Sequence, residues 1–228
     1  MVETVFKSKD TLNVIDKDGK VTELKAKNTI IATGASAAML PGVTVDGKKI
    51  VTYVEATMQG TLPGSVVLVG GGATGTEFAT IWNSYGVDVT IVEMLPHIVP
   101  LEDEEVSVEL EKAFKKRGIK TLVGHKVEAV ETTETGVRVT VSAGGETKVL
   151  EADQALVAIG FRPNSKGLGL EEVGVKLSER GFVEIDQKMA TNVPGIWAIG
   201  DVTGKLMLAH VGSAMGIVCA ENIAGHAT

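Results

Sequence analysis

The stretch Val66-Val67-Leu68-Val69-Gly70-Gly71-Gly72-Ala73-Thr74-Gly75 carries the strongest structural signal in the chain. Its first four residues are all apolar, which is typical of a strand in a parallel sheet covered on both faces. The glycines that follow match the pattern G-x-G-x-x-G. In that pattern Gly70 permits a tight turn, Gly72 lets the backbone approach a pyrophosphate, and Gly75 lets a helix pack closely on the strand. The match alone is weak in a chain with 27 glycines, so its neighbours decide its meaning.

The segments after the glycines strengthen this interpretation. From Gly75 to Tyr85 the apolar residues recur at helical spacing, at Phe78, Ile81, Trp82 and Tyr85. Val87 to Glu93 predicts a second strand, which completes a strand–helix–strand unit of about thirty residues, the length of a right-handed parallel crossover. The first turn of such a helix offers unpaired N–H groups to phosphates.

The acidic residue at the end of the second strand indicates which nucleotide would bind. Glu93 follows the last glycine of the motif by 18 residues. A carboxylate there accepts hydrogen bonds from ribose hydroxyls and repels a 2′-phosphate. No Arg or Lys occurs between Glu93 and Lys112 to bind that phosphate. The sequence therefore predicts a small-molecule nucleotide site for NAD(H) rather than NADP(H).

Three further positions are candidates for ligand contact. Glu77 lies two residues beyond Gly75, where it could either reach the cofactor or simply stabilise the helix N-terminus as a negative charge. The strand ends Ala32-Thr33-Gly34 and Ala198-Ile199-Gly200-Asp201 resemble points where a parallel sheet meets a ligand. Asp201 closes an apolar strand, which is costly unless the carboxylate is bonded or exposed; a surface turn is the alternative.

The rest of the chain predicts an α/β fold in which residues 61–160 form one unit inserted between two pieces of another. The segment 35–63 is expected to be irregular, and Val106, Leu110, Ala113 and Phe114 are expected to form the buried stripe of a helix from Glu102 to Arg117. The remaining predicted elements are strands at Thr11–Ile15, Val21–Ala26 (half-buried), 29–34, 119–123, 126–131, 137–142, Leu156–Gly160 and 195–200, and an amphipathic helix from about Ala209 to Ala224.

Composition limits the classes of function. A net charge of −7 without a long basic run argues against a nucleic-acid partner. No apolar stretch is long enough to span a bilayer, and the first residues do not match a signal peptide, so we expect a cytoplasmic protein without a membrane partner. The four histidines are dispersed without metal-ligand spacing. Cys219, the single cysteine, is expected to be a small core residue of the last helix.

Taken in order, these motifs resemble the flavin-dependent pyridine nucleotide–disulfide oxidoreductases, and within them the dihydrolipoamide dehydrogenases. The stretches that carry the resemblance are 30–34, 69–77, 157–164, 191–201 and 207–210. The resemblance implies a Rossmann-like NAD-binding domain at 61–160, inserted between two pieces, 1–60 and 161–228, of an incomplete FAD-binding domain.

The resemblance also implies two sets of cofactor-binding residues. The set for NAD is Gly70, Gly72, Gly75, Glu77, Glu93 and Gly160, with Glu77 near the nicotinamide end. The set for FAD, if FAD binds, is Thr33, Gly34, Asp201, Leu208, Ala209 and His210. In this set Asp201 would bond the ribityl chain, and the backbone from Leu208 to His210 would face the flavin ring.

The sequence departs from the family pattern in three places. It contains no FAD-binding G-x-G-x-x-G segment, no C-x-x-x-x-C redox disulfide and no C-terminal catalytic His-Glu pair. We therefore expect a family member truncated at both ends, with no catalytic residue assigned. It would bind NAD(H) and, if it captures FAD, act as an NADH:acceptor oxidoreductase of the diaphorase type. The alternatives are a non-catalytic NAD(H)-binding fragment and one half of a split flavoenzyme.

Truncation carries an expectation about partners. Strands 29–34 and 196–200 would lose their cover, and exposed apolar surface of that kind usually becomes an interface. We therefore expect self-association, or a partner chain that covers the incomplete FAD domain.

Overall fold

The computed structural model describes residues 3–226; residues 1, 2, 227 and 228 of the predicted terminal domains lie outside them. The chain divides into two compact units, one spanning Ala37–Gly160 and the other combining the residues up to Ser36 with those from Phe161 onward. The strands are β1 (Glu3–Ser8), β2 (Thr11–Ile15), β3 (Val21–Lys25), β4 (Thr29–Ile31), β5 (Ala35–Ala37), β6 (Ile50–Val51), β7 (Ser65–Val69), β8 (Asp88–Val92), β9 (Lys120–Leu122), β10 (Lys126–Thr132), β11 (Val137–Ala143), β12 (Glu146–Ala152), β13 (Gln154–Val157), β14 (Phe161–Pro163) and β15 (Ile196–Ala198). The helices are α1 (Tyr53–Met58), α2 (Ala73–Ser84), α3 (Glu104–Lys116) and α4 (Ala209–Ile223), with a short 3₁₀ helix at Gly200–Thr203.

The central unit is built on a five-stranded parallel sheet in the order β6-β13-β7-β8-β9. From β7 the chain passes through α2 to β8 on one side, whereas β13 lies on the other side of β7. The strand order therefore reverses between β13 and β7. In open α/β sheets such a switch point opens a crevice at the carboxyl ends of the strands, where ligands bind.

The apolar run of β7 is buried on both faces of this sheet, as its sequence predicted. Val66 and Leu68 belong to the core formed with Trp82 of α2 and Phe114 of α3. Val67 and Val69 belong to a second core, formed with the antiparallel meander β10-β11-β12. Full burial of each such side chain contributes about 1.5–3 kcal/mol, so this strand anchors the glycine-rich turn that follows it.

Helix α2 buries a different face from the one predicted. Trp82 is buried as expected, but Ile81 is 49% exposed and Tyr85 is 74% exposed. The inward face instead carries Gly75 and Ala79 with Trp82. Small residues at these positions let the helix approach β7 closely, so the close packing takes precedence over the spacing of the larger apolar residues.

Helix α3 keeps part of its predicted stripe, because Phe114 is buried as expected and Leu110 packs on the same core. Val106 and Ala113 are exposed, however, and Ser107 is buried instead. The burial of a serine is explained by its hydroxyl, which donates to Val99 O at 3.3 Å. The hydrogen bond satisfies the Ser107 hydroxyl inside the protein, and the spacing of apolar residues alone could not predict that this serine is buried.

Residues 37–60 belong to the central unit rather than to the N-terminal piece in which the sequence placed them. They hold β6, which pairs with β13, and α1, so the segment is not irregular. Helix α1 begins with a capping box: the Thr52 side chain accepts from the backbone of the first turn, and the Glu55 carboxylate accepts from Thr52 N at 2.8 Å. The signal Thr-x-x-Glu was present in the sequence but was not followed by a long apolar run.

Strands with mostly exposed side chains were the hardest to predict. Strand β12 pairs with β11 along its whole length, and β1 pairs with β2, yet both have mixed polar sequences and were missed. Strand β3 was expected to be half-buried, but all five of its residues are exposed. Backbone pairing runs along these strands, whereas only some of their side chains pack on a core, among them Phe6 of β1 and Leu150 of β12.

The other unit combines the antiparallel sheet β1-β2-β3 with the parallel pair of β4 and β15. Its core includes Ile31, Ile196, Ala198 and Val202. In the strands expected to present apolar surface, 29–34 and 196–200, Ile31 and Ile196 face this core, whereas Ile30 is 42% exposed and Trp197 and Ile199 are partly exposed. Helix α4 follows the predicted bounds closely and buries Cys219, as expected. Within residues 3–226, none of the helices combines the length and the apolar character that a membrane span requires.

Candidate nucleotide-binding site

Three neighbouring parallel strands of the central sheet end at the same edge. Strand β13 leads to Gly160, β7 leads to Gly70, and β8 leads directly to Glu93. The sheet therefore brings together residues that are up to ninety positions apart in sequence. This edge is also the switch point, and it is where the predicted NAD residues converge.

Two glycines of the turn are required by the backbone itself. Gly70 has φ +110°, and a Cβ atom there would lie 2.4 Å from Ala158 O. A Cβ atom on Gly75 would lie 2.0 Å from Gly70 O. No larger residue fits at either position without moving the strand or the helix, which agrees with the roles that the motif predicted.

Gly72 is a glycine for a different reason. A Cβ atom built on Gly72 would meet no protein atom within 4 Å, and its φ of −74° is accessible to any residue. Folding therefore does not require glycine here. The open space beside this backbone is what the close approach of a pyrophosphate would need, so the turn fits the group that the motif implies.

Helix α2 begins at this turn without a side-chain cap. Gly72 is its N-cap residue and has no side chain that could accept a hydrogen bond from the first turn. The N–H groups of the first helical residues, Ala73 to Gly75, have no acceptor inside the helix. Together with the positive end of the helix dipole they form a set of donors suited to an anion.

Glu93 is held against the glycine turn. Only 9% of this residue is exposed, and its carboxylate accepts two backbone hydrogen bonds, from Gly71 N at 2.7 Å and from Leu95 N at 2.9 Å. A carboxylate offers about four acceptor positions, so acceptor capacity for ribose hydroxyls remains. Glu93 thus has a structural role beside its predicted binding role. The spacing of Glu93 from the glycines did not indicate this structural role.

Glu77 lies further along α2 than expected. The helix begins at Ala73, two residues before the predicted start, which makes Glu77 its fifth residue rather than a member of the first turn. The side chain is exposed, and its carboxylate forms no hydrogen bond with residues 3–226. Stabilisation of the helix N-terminus therefore explains this residue poorly, because that effect is confined to the first turn.

The residues predicted for FAD lie in the other unit, where β4 and β15 end side by side. Asn164 organises the end of β4: its side chain donates to Thr33 O at 2.9 Å, its backbone N–H donates to Gly34 O at 3.0 Å, and its carbonyl accepts from Thr33 Oγ1 at 2.7 Å. Asn164 was noted in the sequence only as part of a motif. Its position so far from Thr33 in sequence concealed this contact.

The remaining FAD candidates are half-buried or exposed. Asp201 is half-buried in the 3₁₀ helix, and its carboxylate forms no hydrogen bond within the described part of the chain. Leu208, Ala209 and His210 are exposed at the start of α4, where Leu208 is the N-cap residue and has no side-chain cap. The start of α4 therefore presents unpaired backbone N–H groups, as α2 does.

The single thiol is not placed for redox chemistry. Cys219 is fully buried in α4 and forms no disulfide. Burial raises the pKa of the thiol, which keeps it protonated and weakly nucleophilic. A chain with one cysteine cannot form an internal redox disulfide.

The chain is similar to known proteins along most of its length. Residues 1–216 match the family described as pyridine nucleotide-disulphide oxidoreductase. The dihydrolipoyl dehydrogenase of Mycobacterium leprae is 50% identical over 226 residues, which cover 98% of this chain and 48% of that protein. The mitochondrial dihydrolipoyl dehydrogenase of Pisum sativum is 39% identical over 222 residues, covering 96% of this chain and 44% of that protein.

Solved structures agree with these relatives. LpdA from Mycobacterium tuberculosis matches with a TM-score of 0.89 and 33% identity, covering all of this chain and 50% of its own. A NAD-dependent persulfide reductase from A. fulgidus matches with a TM-score of 0.81 and 28% identity, covering all of this chain and 44% of its own. The predicted α/β fold class is confirmed. The chain spans about half the length of the relatives that it matches.

Proposed function

We propose that the central unit of this chain binds NAD(H), because the chain belongs to the pyridine nucleotide-disulphide oxidoreductase family. Members of this flavoprotein family bind FAD and NAD(H). The pyrophosphate would lie on the Gly70–Gly75 turn and the N-terminus of α2. The adenosine ribose would bond Glu93, and Gly160 and Glu77 would lie along the rest of the cofactor.

One observation carries this proposal. The glycine turn and Glu93 are joined by the hydrogen bond from Gly71 N to Glu93 Oε2 at 2.7 Å, so a phosphate cradle and a ribose acceptor form one rigid arrangement. Among the four glycines of the turn, only Gly72 has open space where a Cβ atom would lie, and the motif assigns the close approach of the phosphates to this glycine.

The same arrangement favours NADH over NADPH. A 2′-phosphate would approach an ionised carboxylate, and no Arg or Lys follows Glu93 before Lys112 to offset the repulsion. We expect NADPH to bind at least tenfold more weakly than NADH, a difference of about 1.4 kcal/mol.

The test is a titration of the purified chain with NADH and with NADPH, followed by nucleotide fluorescence. Hydrogen bonds to a charged group contribute about 1.5–3 kcal/mol, so Glu93→Gln should weaken NADH binding by roughly tenfold or more. Glu131→Gln, which makes the same charge change on the exposed surface of β10, serves as the control and should bind as the unaltered chain does. Equal affinity of Glu93→Gln and the unaltered chain for NADH would contradict the assignment.

A second function, NADH:acceptor activity of the diaphorase type, is supported by the other unit. The free Asp201 carboxylate fits the hydroxyls of a ribityl chain, and the open N–H groups at the start of α4 fit the polar edge of a flavin ring. Thr33 and Gly34 end the neighbouring strand. A bound flavin would supply the electron transfer, while these residues would hold and orient it.

Flavin binding and turnover are measured separately from NADH binding. The chain is incubated with FAD, desalted and examined for flavin absorbance, and NADH oxidation is then followed with a quinone as acceptor. Retained flavin with NADH oxidation supports the oxidoreductase. NADH binding without turnover after FAD addition supports a non-catalytic nucleotide-binding protein instead.

The remaining alternative is one half of a split flavoenzyme. It predicts that a second polypeptide bearing a C-x-x-x-x-C motif co-purifies with this chain and restores disulfide chemistry, which the single buried Cys219 cannot perform. Purification from the native source with analysis of associated chains distinguishes this case from the other two.

A further inference from the structure

We propose that the strap, residues 94–103 between β8 and α3, sets the geometry of the phosphate-binding turn, and that Glu111 of α3 is a positioning residue for nucleotide binding. The proposal rests on the proposed function, because it names residues that prepare the same site from outside it. Neither the strap nor Glu111 belongs to the predicted site residues.

The strap lies directly against Gly71 in the middle of the turn. Val99 N–H donates to Gly71 O at 2.7 Å. The Ile98 side chain is fully buried, and a Cβ atom on Gly71 would lie 3.0 Å from its Cγ2 atom. Since Glu93 accepts the N–H of Gly71, both polar groups of this residue are held.

The bond to Gly71 O has a geometric consequence for the next residue. The carbonyl of Gly71 and the N–H of Gly72 belong to one trans peptide unit, so they point in opposite directions. Fixing the carbonyl toward Val99 therefore aims the Gly72 N–H away from the strap. That N–H has no acceptor among the described residues, and it lies beside the open space at Gly72. The strap thus orients a donor that the phosphates would use.

Val99 adopts a conformation that needs an explanation. Its φ is +43°, in the left-handed region, which a β-branched residue rarely adopts. The conformation is held on the carbonyl side as well, because Val99 O accepts from Glu102 N at 2.9 Å and from the Ser107 hydroxyl at 3.3 Å. Strained residues that are fixed by several contacts cluster at ligand-binding sites, and the contact with Gly71 gives this strain a function.

Glu111 holds the strap one residue before Val99. Its Oε1 atom accepts from Ile98 N at 3.1 Å, and its side chain is mostly buried. The His97 ring lies on the same carboxylate, with 3.8 Å between Nδ1 and Oε1. Two hydrogen bonds therefore connect helix α3 with the glycine turn by way of the strap. One runs from Ile98 N to Glu111 Oε1, and the other runs from Val99 N to Gly71 O.

The experiment compares three variants of the whole chain by NADH and ADP-ribose titration, well below the unfolding temperature of each. Glu111→Ala removes the acceptor for Ile98 N and should raise the Kd for both ligands at least fivefold, by similar factors, because both carry the pyrophosphate. Glu111→Gln keeps an acceptor oxygen and should stay within twofold of the unaltered chain. Glu109→Ala removes an exposed carboxylate of the same helix, whose only ion-pair partner within residues 3–226 is Lys112, and should leave both Kd values unchanged.

The outcomes separate the strap from the proposed function. If the unaltered chain binds NADH and Glu111→Ala binds it equally well, the strap does not position the turn. A purely structural role would lower the melting temperature of Glu111→Ala without changing either Kd, which also overturns the proposal. If the unaltered chain does not bind NADH, the proposed function fails, and the strap is judged by hydrogen exchange of the Val99 amide. Faster exchange in Glu111→Ala than in Glu109→Ala supports it, and equal exchange refutes it.

Discussion

Gly72→Ala and Gly75→Ala place the same methyl group three residues apart, and only Gly75→Ala should substantially lower the stability of the fold. At Gly75 the new Cβ atom would lie 2.0 Å from Gly70 O, whereas the closest ordinary contacts of this kind are near 3.0 Å. Helix α2 must therefore move away from the turn by about 1 Å. Overpacking costs up to about 3 kcal/mol, and the helix preference of alanine over glycine returns at most about 1 kcal/mol. The net loss of stability is about 2 kcal/mol.

At Gly72 the same methyl group meets no protein atom, so the loss of stability should stay within about 1 kcal/mol, the cost of alanine at an N-cap position. The methyl group does occupy the space that the pyrophosphate would need. We expect Gly72→Ala to weaken NADH binding at least tenfold with a nearly unchanged urea midpoint. Gly75→Ala should lower the midpoint and weaken binding together, since it displaces the N–H donors of α2.

The assay is urea unfolding followed by far-ultraviolet circular dichroism, paired with NADH titration of the same three proteins. If Gly72→Ala binds NADH as tightly as the unaltered chain, Gly72 does not make room for the pyrophosphate. If Gly75→Ala unfolds at the same urea concentration as the unaltered chain, Gly75 is not needed for close packing, and the two glycines have no distinct roles.

Three further predictions concern stability and reactivity. Trp82→Ala should lower the free energy of unfolding in urea by about 3–5 kcal/mol, because the side chain is buried. Tyr85→Ala should lower it by less than about 0.5 kcal/mol, because that side chain is mostly exposed. Equal losses would contradict the observed buried face of α2. Thr52→Ala should cost about 1 kcal/mol at pH 7. The hydrogen bond from the Thr52 hydroxyl lowers the pKa of Glu55 in the folded chain. The stabilisation from this bond is therefore complete above about pH 4.3, the pKa of an unfolded glutamate, and is lost as the pH falls through the lower folded pKa. The loss of stability in Thr52→Ala should accordingly become smaller in acid. Cys219 should react with a thiol reagent only after unfolding, because it is buried and burial raises its pKa; rapid reaction of the folded chain would argue against this burial.

The sequence predicted the features whose physical cause is local. The four apolar residues of β7 required cover on both faces, and the glycines after them required a turn and a close helix. Glu93 ends the next strand, 18 residues after Gly75, which is where the motif expects an acidic residue. Each of these constraints acts within about thirty residues, so a single stretch of sequence carries it.

Features that depend on distant partners were not predictable in this way. Nothing near Asn164 indicates that it would bond Thr33 and Gly34, and nothing near Glu111 indicates that it would hold Ile98. The inward face of α2 was mistaken because close approach selected small residues over large ones. The exposed strand β12 was missed because backbone pairing leaves no apolar pattern.

Binding of NAD(H) at the edge formed by β13, β7 and β8 can be measured by titrating the isotopically labelled chain with NADH while following assigned backbone amide resonances. We expect saturable shifts concentrated in the Gly70–Gly75 turn, in Glu93 to Leu95 and at Gly160, with the meander β10–β12 unchanged. Binding at this edge is ruled out if millimolar NADH leaves the turn unshifted, or if the largest shifts lie in another part of the chain.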